Sequence, residues 1–403
     1  MWGYEYCSFM RRSTNLAGTV FFISVIIIGS SGCGVSTVFR KEERKGSQQK
    51  VPLARREFLK GITLLGVVAV LTSLVPACLR KDEAVPETAS PTITDNSLKA
   101  GEEGIMVSKI GLVCTSNRAE GVVKAIDLLQ SNPVQGKAVV LKPNFNSADA
   151  TPGSTHNDTL RALIIKLREM GATHITLAER SGPGDSTRQV MEKKGVLDMA
   201  GELGFDIVNL EEMGAEGWVH VKPENSHWRD GFHFPRVYRE AECIVQTCCL
   251  KTHAFGGHFT LSLKNSVGTV PRAGYPYMQE LHSSPYQRQL IAEINTAYSP
   301  DIVLLDGVEA FVDGGPARGT RVDARVMLAG NDRVAIDAVG VAILRWLGTT
   351  PEVSRGLIFE QGQIARAAEL GLGVKSAGQI EIVTGDPESE AFAGKIREVL
   401  LKK

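Results

Sequence analysis

Lys251 and His253 stand two residues apart at the end of an apolar run, residues 244–250, and Lys264 follows beyond Gly256-Gly257 and Thr260. On an extended chain, positions i and i+2 project to the same side, so the first two side chains share one face. Thr260 is placed to cap a helix whose first turn would offer free N–H groups. Cations beside a helix start favour an anion such as a phosphate or carboxylate. A buried lysine whose ammonium is disfavoured by desolvation can also act as a base, so Lys251, His253 and Lys264 are the candidate catalytic group. A purely structural reading stays open beside it, with Lys251 and Lys264 paired to Glu179 and Asp306.

Asp306, Asp313 and Asp332 form the second constellation, with Asp337 in the following helix. Carboxylates gathered from several loops would hold Mg²⁺ or Ca²⁺, so a divalent cation is the one cofactor this pattern would accept. Asp332 competes for a different role, because Asn331-Asp332 precedes an apolar helical run and suits an N-cap. Cys243, Cys248 and Cys249 invite a metal or cluster reading, but Cys243 and Cys249 would lie roughly 20 Å apart on a straight strand at about 3.3 Å per residue. They read instead as small buried hydrophobes. Ser181 lacks the Gly-x-Ser-x-Gly elbow of a nucleophile, and no Gly-x-Gly-x-x-Gly follows the first strand.

These groups need a scaffold. From residue 107 onward short apolar runs alternate with segments of helical period, which predicts βα units. Strands are expected at 109–114, 138–141, 175–178, 206–210, 243–247, 302–305, 325–328 and 380–384. Helices are expected at 119–130, 159–170, 188–203, 286–297, 333–347, 355–370 and 390–402. The fold class is α/β, a mainly parallel sheet with helices on both faces in Rossmann-like layering. Residues 211–235, with Trp218, His227 and Trp228, fit no βα unit and predict a small irregular or antiparallel excursion. Ligands bind open parallel sheets at the carboxyl edge. Four expected strands run there into Lys142-Pro143-Asn144, Glu179-Arg180-Ser181-Gly182, Lys251-Thr252-His253 and Asp306-Gly307. Lys142, Asn144, Glu179, Ser181 and Asn265 are therefore the expected ligand-binding residues around one shared edge site.

Lys+Arg and Asp+Glu number 45 each in 403 residues, so bulk charge recruits no nucleic acid. Domain organisation reads as 1–50, a doubtful extension or extra signal-like segment; 51–78, a signal; 79–105, a polar tether; and 106–403, one α/β domain. In the signal, Arg55-Arg56-Glu57-Phe58-Leu59-Lys60 precedes a weakly apolar stretch, the twin-arginine pattern read by that translocation machinery. The stretch ends at Pro76-Ala77-Cys78, where a lipid on Cys78 would anchor the protein to the membrane and plain cleavage after Ala77 is the alternative. Both outcomes place the protein in the periplasm or on the outer face of the cytoplasmic membrane. The signal-like segment before it implies either translation starting near Val51 or a short membrane segment.

Taken in order, Leu141-Lys142-Pro143-Asn144, Ala178-Glu179-Arg180-Ser181-Gly182, Leu250-Lys251-Thr252-His253, residues 260–268, Asp306-Gly307, Asp313-Gly314-Gly315-Pro316, Ala329-Gly330-Asn331-Asp332 and Ala335-Ile336-Asp337-Ala338 resemble the family called domain of unknown function 362. The resemblance runs from about Lys109 to Gly348. It implies no agreed reaction, and the iron-sulfur description attached to some relatives does not carry over, because no Cys-x-x-Cys-x-x-Cys run is present. The expected function is an exported enzyme binding a small anionic or metal-associated ligand. A non-catalytic solute-binding or scaffold lipoprotein and an iron-sulfur or thiol redox protein are the alternatives.

Overall fold

A computed structural model describes residues 12–16, 19–23 and 107–402. Near the N-terminus, β1 (Arg12–Leu16) and β2 (Thr19–Ile23) form an antiparallel pair by themselves. The signal and tether residues Arg55, Arg56 and Cys78 lie outside the described residues. Among the described residues no helix is long and apolar enough to cross a membrane.

The α/β domain is built on a nine-stranded sheet comprising β3 (Ser108–Cys114), β4 (Ala138–Lys142), β5 (His174–Glu179), β6 (Asp206–Asn209), β9 (Cys243–His253), β10 (His258–Thr260), β11 (Ile302–Gly314), β12 (Gly319–Gly330) and β13 (Ile380–Val383). Its order is β13-β3-β12-β11-β9-β4-β5-β6, with β10 paired to β9. Strands β11, β9, β4, β5 and β6 run parallel; β12 and β10 are the antiparallel members. The excursion is β7 (Trp218–Val221) paired antiparallel with β8 (Phe232–Pro235).

The period of two divides each strand between the two faces. Val139 and Leu141 of β4 pack under helices Arg118–Asp127 and Asn157–Glu169, whereas Val140 and Ile244 pack on the opposite side with Tyr238 and Leu290. Helices Arg333–Leu347, Gly362–Glu369 and Pro387–Leu401 cover that second side at the β3 end. Helix starts carry the expected oxygens: Asn117, Ser186, Asp332 and Asp386 each accept an N–H of the first turn.

Three strands run further than their apolar cores predict. β9 stays buried through all eleven residues, including Lys251, Thr252 and His253, because β10 folds back along it and pairs Thr260 with Lys251. β11 and β12 form a long hairpin, so Asp306 lies in mid-strand opposite Met327 and not in an edge loop. The helix expected over 188–203 is two, Thr187–Lys193 and Val196–Leu203, broken at Gly195 in the left-handed region with φ 67°.

Candidate functional site

At the carboxyl edge of β4, β5 and β9 a cleft of about 420 Å³ opens partly to solvent. Seven of the eight expected catalytic and ligand residues line it: Lys142, Asn144, Glu179, Lys251, His253, Lys264 and Asn265. Ser181 is buried beside it but does not line it, its backbone N–H bonded to Thr187 and its hydroxyl without a partner among the described residues.

The floor is one hydrogen-bonded chain of polar groups. The Glu179 carboxylate accepts from Lys142 Nζ at 2.8 Å and from the backbone N–H groups of Phe145 and Arg180 at 2.9 and 2.8 Å. Lys142 Nζ also donates to Pro143 O at 2.7 Å and to Asn265 Oδ1 at 3.3 Å. Asn144 Nδ2 donates to the same Asn265 oxygen at 3.0 Å, while Asn144 Oδ1 accepts from Lys251 Nζ at 3.0 Å. Lys251 further donates to the carbonyls of Gly153 and Pro316. The β11–β12 turn reaches the site at this point. Gly315 has φ 73°, and a Cβ there would stand 2.1 Å from Thr252 O, so only glycine brings the turn this close.

Glu179 answers one cation, Lys142. Lys251 has only neutral acceptors, and among the described residues Lys264 Nζ has no hydrogen-bond partner. The structural alternative, in which both lysines pair with Glu179 and Asp306, is corrected by these contacts. Asp306 accepts instead from Arg118 Nε at 3.0 Å and from Thr159 Oγ1. Arg180 forms the back wall, its buried guanidinium bonded to the carbonyls of Ser181, Val267 and Val270.

Burial without counter-charge sets the protonation. Desolvation, and then the neighbouring Lys251 and Arg180, bring Lys264 down to about 7. Desolvation also lowers Lys251 and Lys142, the latter opposed by Glu179. His253 is driven down to about 2, by burial first and then by Lys264 and Lys251. Its ring is therefore neutral. Because Nδ1 accepts the Phe255 N–H at 3.2 Å, the ring proton sits on Nε2, which is a donor.

The expected free helix start is absent. Thr260 belongs to β10, and the turn Ser262–Asn265 that carries Lys264 begins instead after Leu261. Its first N–H groups are taken by the protein's own carboxylate: Asp337 Oδ1 accepts from Ser262 N at 2.7 Å, and Asp337 Oδ2 accepts from Leu263 N at 3.2 Å. The sequence thus misassigned the donors. The positive charge at the cleft is therefore that of side-chain cations and not of a helix dipole. Thr260 still lines the cleft, with its hydroxyl buried and unpaired among the described residues.

The acidic constellation does not assemble. Asp332 caps Arg333–Leu347 by accepting from Val334 N and Ala335 N, and it follows Gly330, which pairs with Val303 at the amino end of β11. It therefore sits at the edge opposite the cleft. Asp313 lies seven residues beyond Asp306 on β11 and is exposed. Among the described residues no group of three or more His, Cys, Asp or Glu is placed to hold a metal ion. Cys243, Cys248 and Cys249 are free, buried and spread along β9.

An α/β sheet with a cationic cleft at its carboxyl edge is the class of protein that fold and site define. Residues 139–342 match the family described as Domain of unknown function (DUF362), and the chain belongs to it. It is 26% identical over 218 residues to a thylakoid-associated protein of Synechocystis, the match covering 52% of this chain and 64% of that protein. The chain thus spans less than two thirds of that relative's length. Among solved structures, the lactate racemase apoprotein from Thermoanaerobacterium thermosaccharolyticum aligns over 72% of this chain and 85% of its own, at 12% identity and a TM-score of 0.38. Nothing about the reaction follows from that likeness.

Proposed function

We propose that this chain is an enzyme that binds a small anionic ligand in the cleft and moves a proton to or from it through Lys264. The carrying observation is Lys264 itself, a residue only 8% exposed that lines the cleft and makes no salt bridge or hydrogen bond from its amine among the described residues, flanked by Lys251 and Arg180. An anion entering the cleft meets Lys251 and Lys264 as cations and the Nε2–H of His253 as a neutral donor. With the anion bound, the Lys264 ammonium can give a proton to the ligand, and the neutral amine that results can take one back. The floor of Lys142, Glu179, Asn144 and Asn265 fixes Lys251 through Asn144.

Calorimetric titration with inorganic phosphate and with acetate tests the reading. Binding to the wild type that weakens as pH rises through about 7, and that is markedly weaker in Lys264→Met, is the expected result. Failure of both anions to bind, or equal binding by Lys264→Met, overturns it.

Export by the twin-arginine route, ending in the periplasm or on a Cys78 lipid anchor, belongs to the same proposal and rests on the Arg55-Arg56 pattern. Arg55→Lys with Arg56→Lys should hold the protein in the cytoplasm, and normal export of that variant would refute the route. Loss of membrane association in Cys78→Ala would favour the lipid over plain cleavage.

A further inference from the structure

A second cavity of about 520 Å³ adjoins the cleft, lined by Arg180, Leu210, Glu211, Met213, Trp218 and Tyr275 among others. Arg180 is common to both, and its guanidinium, fixed by three carbonyls, stands where they meet. Arg272 bridges the same boundary. It donates to the carbonyl of Gly182, which lines the first cleft, and to the carboxylate of Glu211, which lines the second.

The lining of this second cavity differs from that of the first. Trp218, which opens β7, is 8% exposed, and its indole N–H has no partner among the described residues. Tyr275 stacks on Tyr277 with centroids 5.1 Å apart and meets His233 tilted by 30° at 4.4 Å. Tyr277 and His233 are only 6.0 Å from each other, too close to lie on opposite faces of Tyr275. One face of the Tyr275 ring is therefore free of both. With Leu210 and Met213, the Trp218 and Tyr275 rings give this space an apolar side facing the Arg180, Arg272 and Glu211 boundary, a mixed lining that suits a small molecule.

We infer that the two cavities are halves of one ligand site, and that the ligand joins an anionic group, held by the lysines, to a flat aromatic ring seated between Trp218 and Tyr275. The inference rests on the anion-binding reading and adds the ligand's other end. It also gives the β7–β8 excursion a task, since Trp218 comes from it. Aromatic rings prefer offset or edge-on neighbours of this kind, and the Trp218 N–H would meet an acceptor on the ring or its linker.

The test is calorimetry with two matched pairs, inorganic phosphate against phenyl phosphate and acetate against phenylacetate. The aryl member of each pair should bind about tenfold tighter or better, the gain expected for one aromatic contact in an enclosed site. Tyr275→Ala, at a half-exposed position, should erase that excess while leaving the simple anion's affinity unchanged. Trp218→Phe keeps the apolar surface and tests the N–H alone, and should weaken only the aryl ligands. Lys264→Met should weaken both members of each pair. Equal affinities within each pair, or an aryl advantage that survives in both aromatic variants, overturns the bipartite site and leaves the anion site standing. Absence of any anion binding overturns the anion reading and this inference with it.

Discussion

Asp337 Oδ1 accepts the backbone N–H of Ser262 at 2.7 Å, and with its contacts to Leu263 it fixes the turn that presents Lys264 and Asn265 to the cleft. Burial pushes the Asp337 carboxyl up to about 8, so its neutral form is well populated in the folded protein. Asp337→Ala would orphan two buried N–H groups at roughly 1 to 3 kcal/mol each, whereas Asp337→Asn keeps an acceptor without the charge. Urea denaturation should therefore rank Ala well below Asn. Equal losses would mean that the carboxylate's charge, and not its hydrogen bonding, holds the turn.

Lys142 and Lys251 are both buried, but only Lys142 leaves a carboxylate behind when removed. Lys142→Met should cost about 3 to 5 kcal/mol, the penalty for stranding one member of a buried ion pair. Lys251→Met strands three neutral acceptors but relieves a desolvated charge, so its loss of stability should be well below that of the Lys142 variant. A Lys251 variant as unstable as the Lys142 variant would move Lys251 from the ligand site to the framework.

Lys264 ties stability to pH in a definite direction. With its folded pKa near 7 against the ordinary 10.5, the unfolded chain binds more protons between those values, and stability gains from this residue as pH rises across that window. Below about pH 7 the folded protein carries the full cost of the buried charge. Lys264→Met should therefore melt higher than wild type at pH 6, and the difference should shrink steadily toward pH 10. A constant difference would show that the amine is not desolvated.

Burial raises the thiols of Cys243 to about 12, Cys249 to about 11 and Cys248 well above its ordinary value. Alkylation at pH 8 should leave all three unmodified in the folded protein and modify them once it is unfolded, because the thiolate is the reactive form. Rapid modification of Cys248 or Cys249 in the native state would revive the thiol redox reading.

Much of this site was legible from polar residues interrupting apolar runs. Lys142, Glu179 and Lys251 end apolar runs of sheet strands, and that pattern located the cleft without coordinates. What stayed hidden had no side-chain signature. The carbonyls of Gly153 and Pro316 that hold Lys251 are backbone groups brought in from 98 and 65 residues away. The β10 fold-back made a strand of what reads as a helix cap, since Thr260 before an apolar run satisfies both patterns. Arg180 stood inside a recognised motif, yet its place between two cavities depends on the excursion, whose packing local periodicity cannot supply. Asp306 was misplaced because β11 runs past it to Gly314 instead of ending there, and Asp332 because antiparallel β12 carries the chain back to the amino edge, a reversal that a reading of only βα units lacks.

The sheet order carries a consequence for biosynthesis. Ser108–Cys114, the first strand of the main sheet to be synthesised, has only two neighbours, Gly319–Gly330 and Ile380–Val383. A nascent chain therefore holds its first sheet strand unpaired until residues 319–330 have left the ribosome, and closes the sheet's far edge only after residue 383. Docking of that strand waits on two segments more than 200 residues downstream, and its own folding is among the last events of the domain rather than the first.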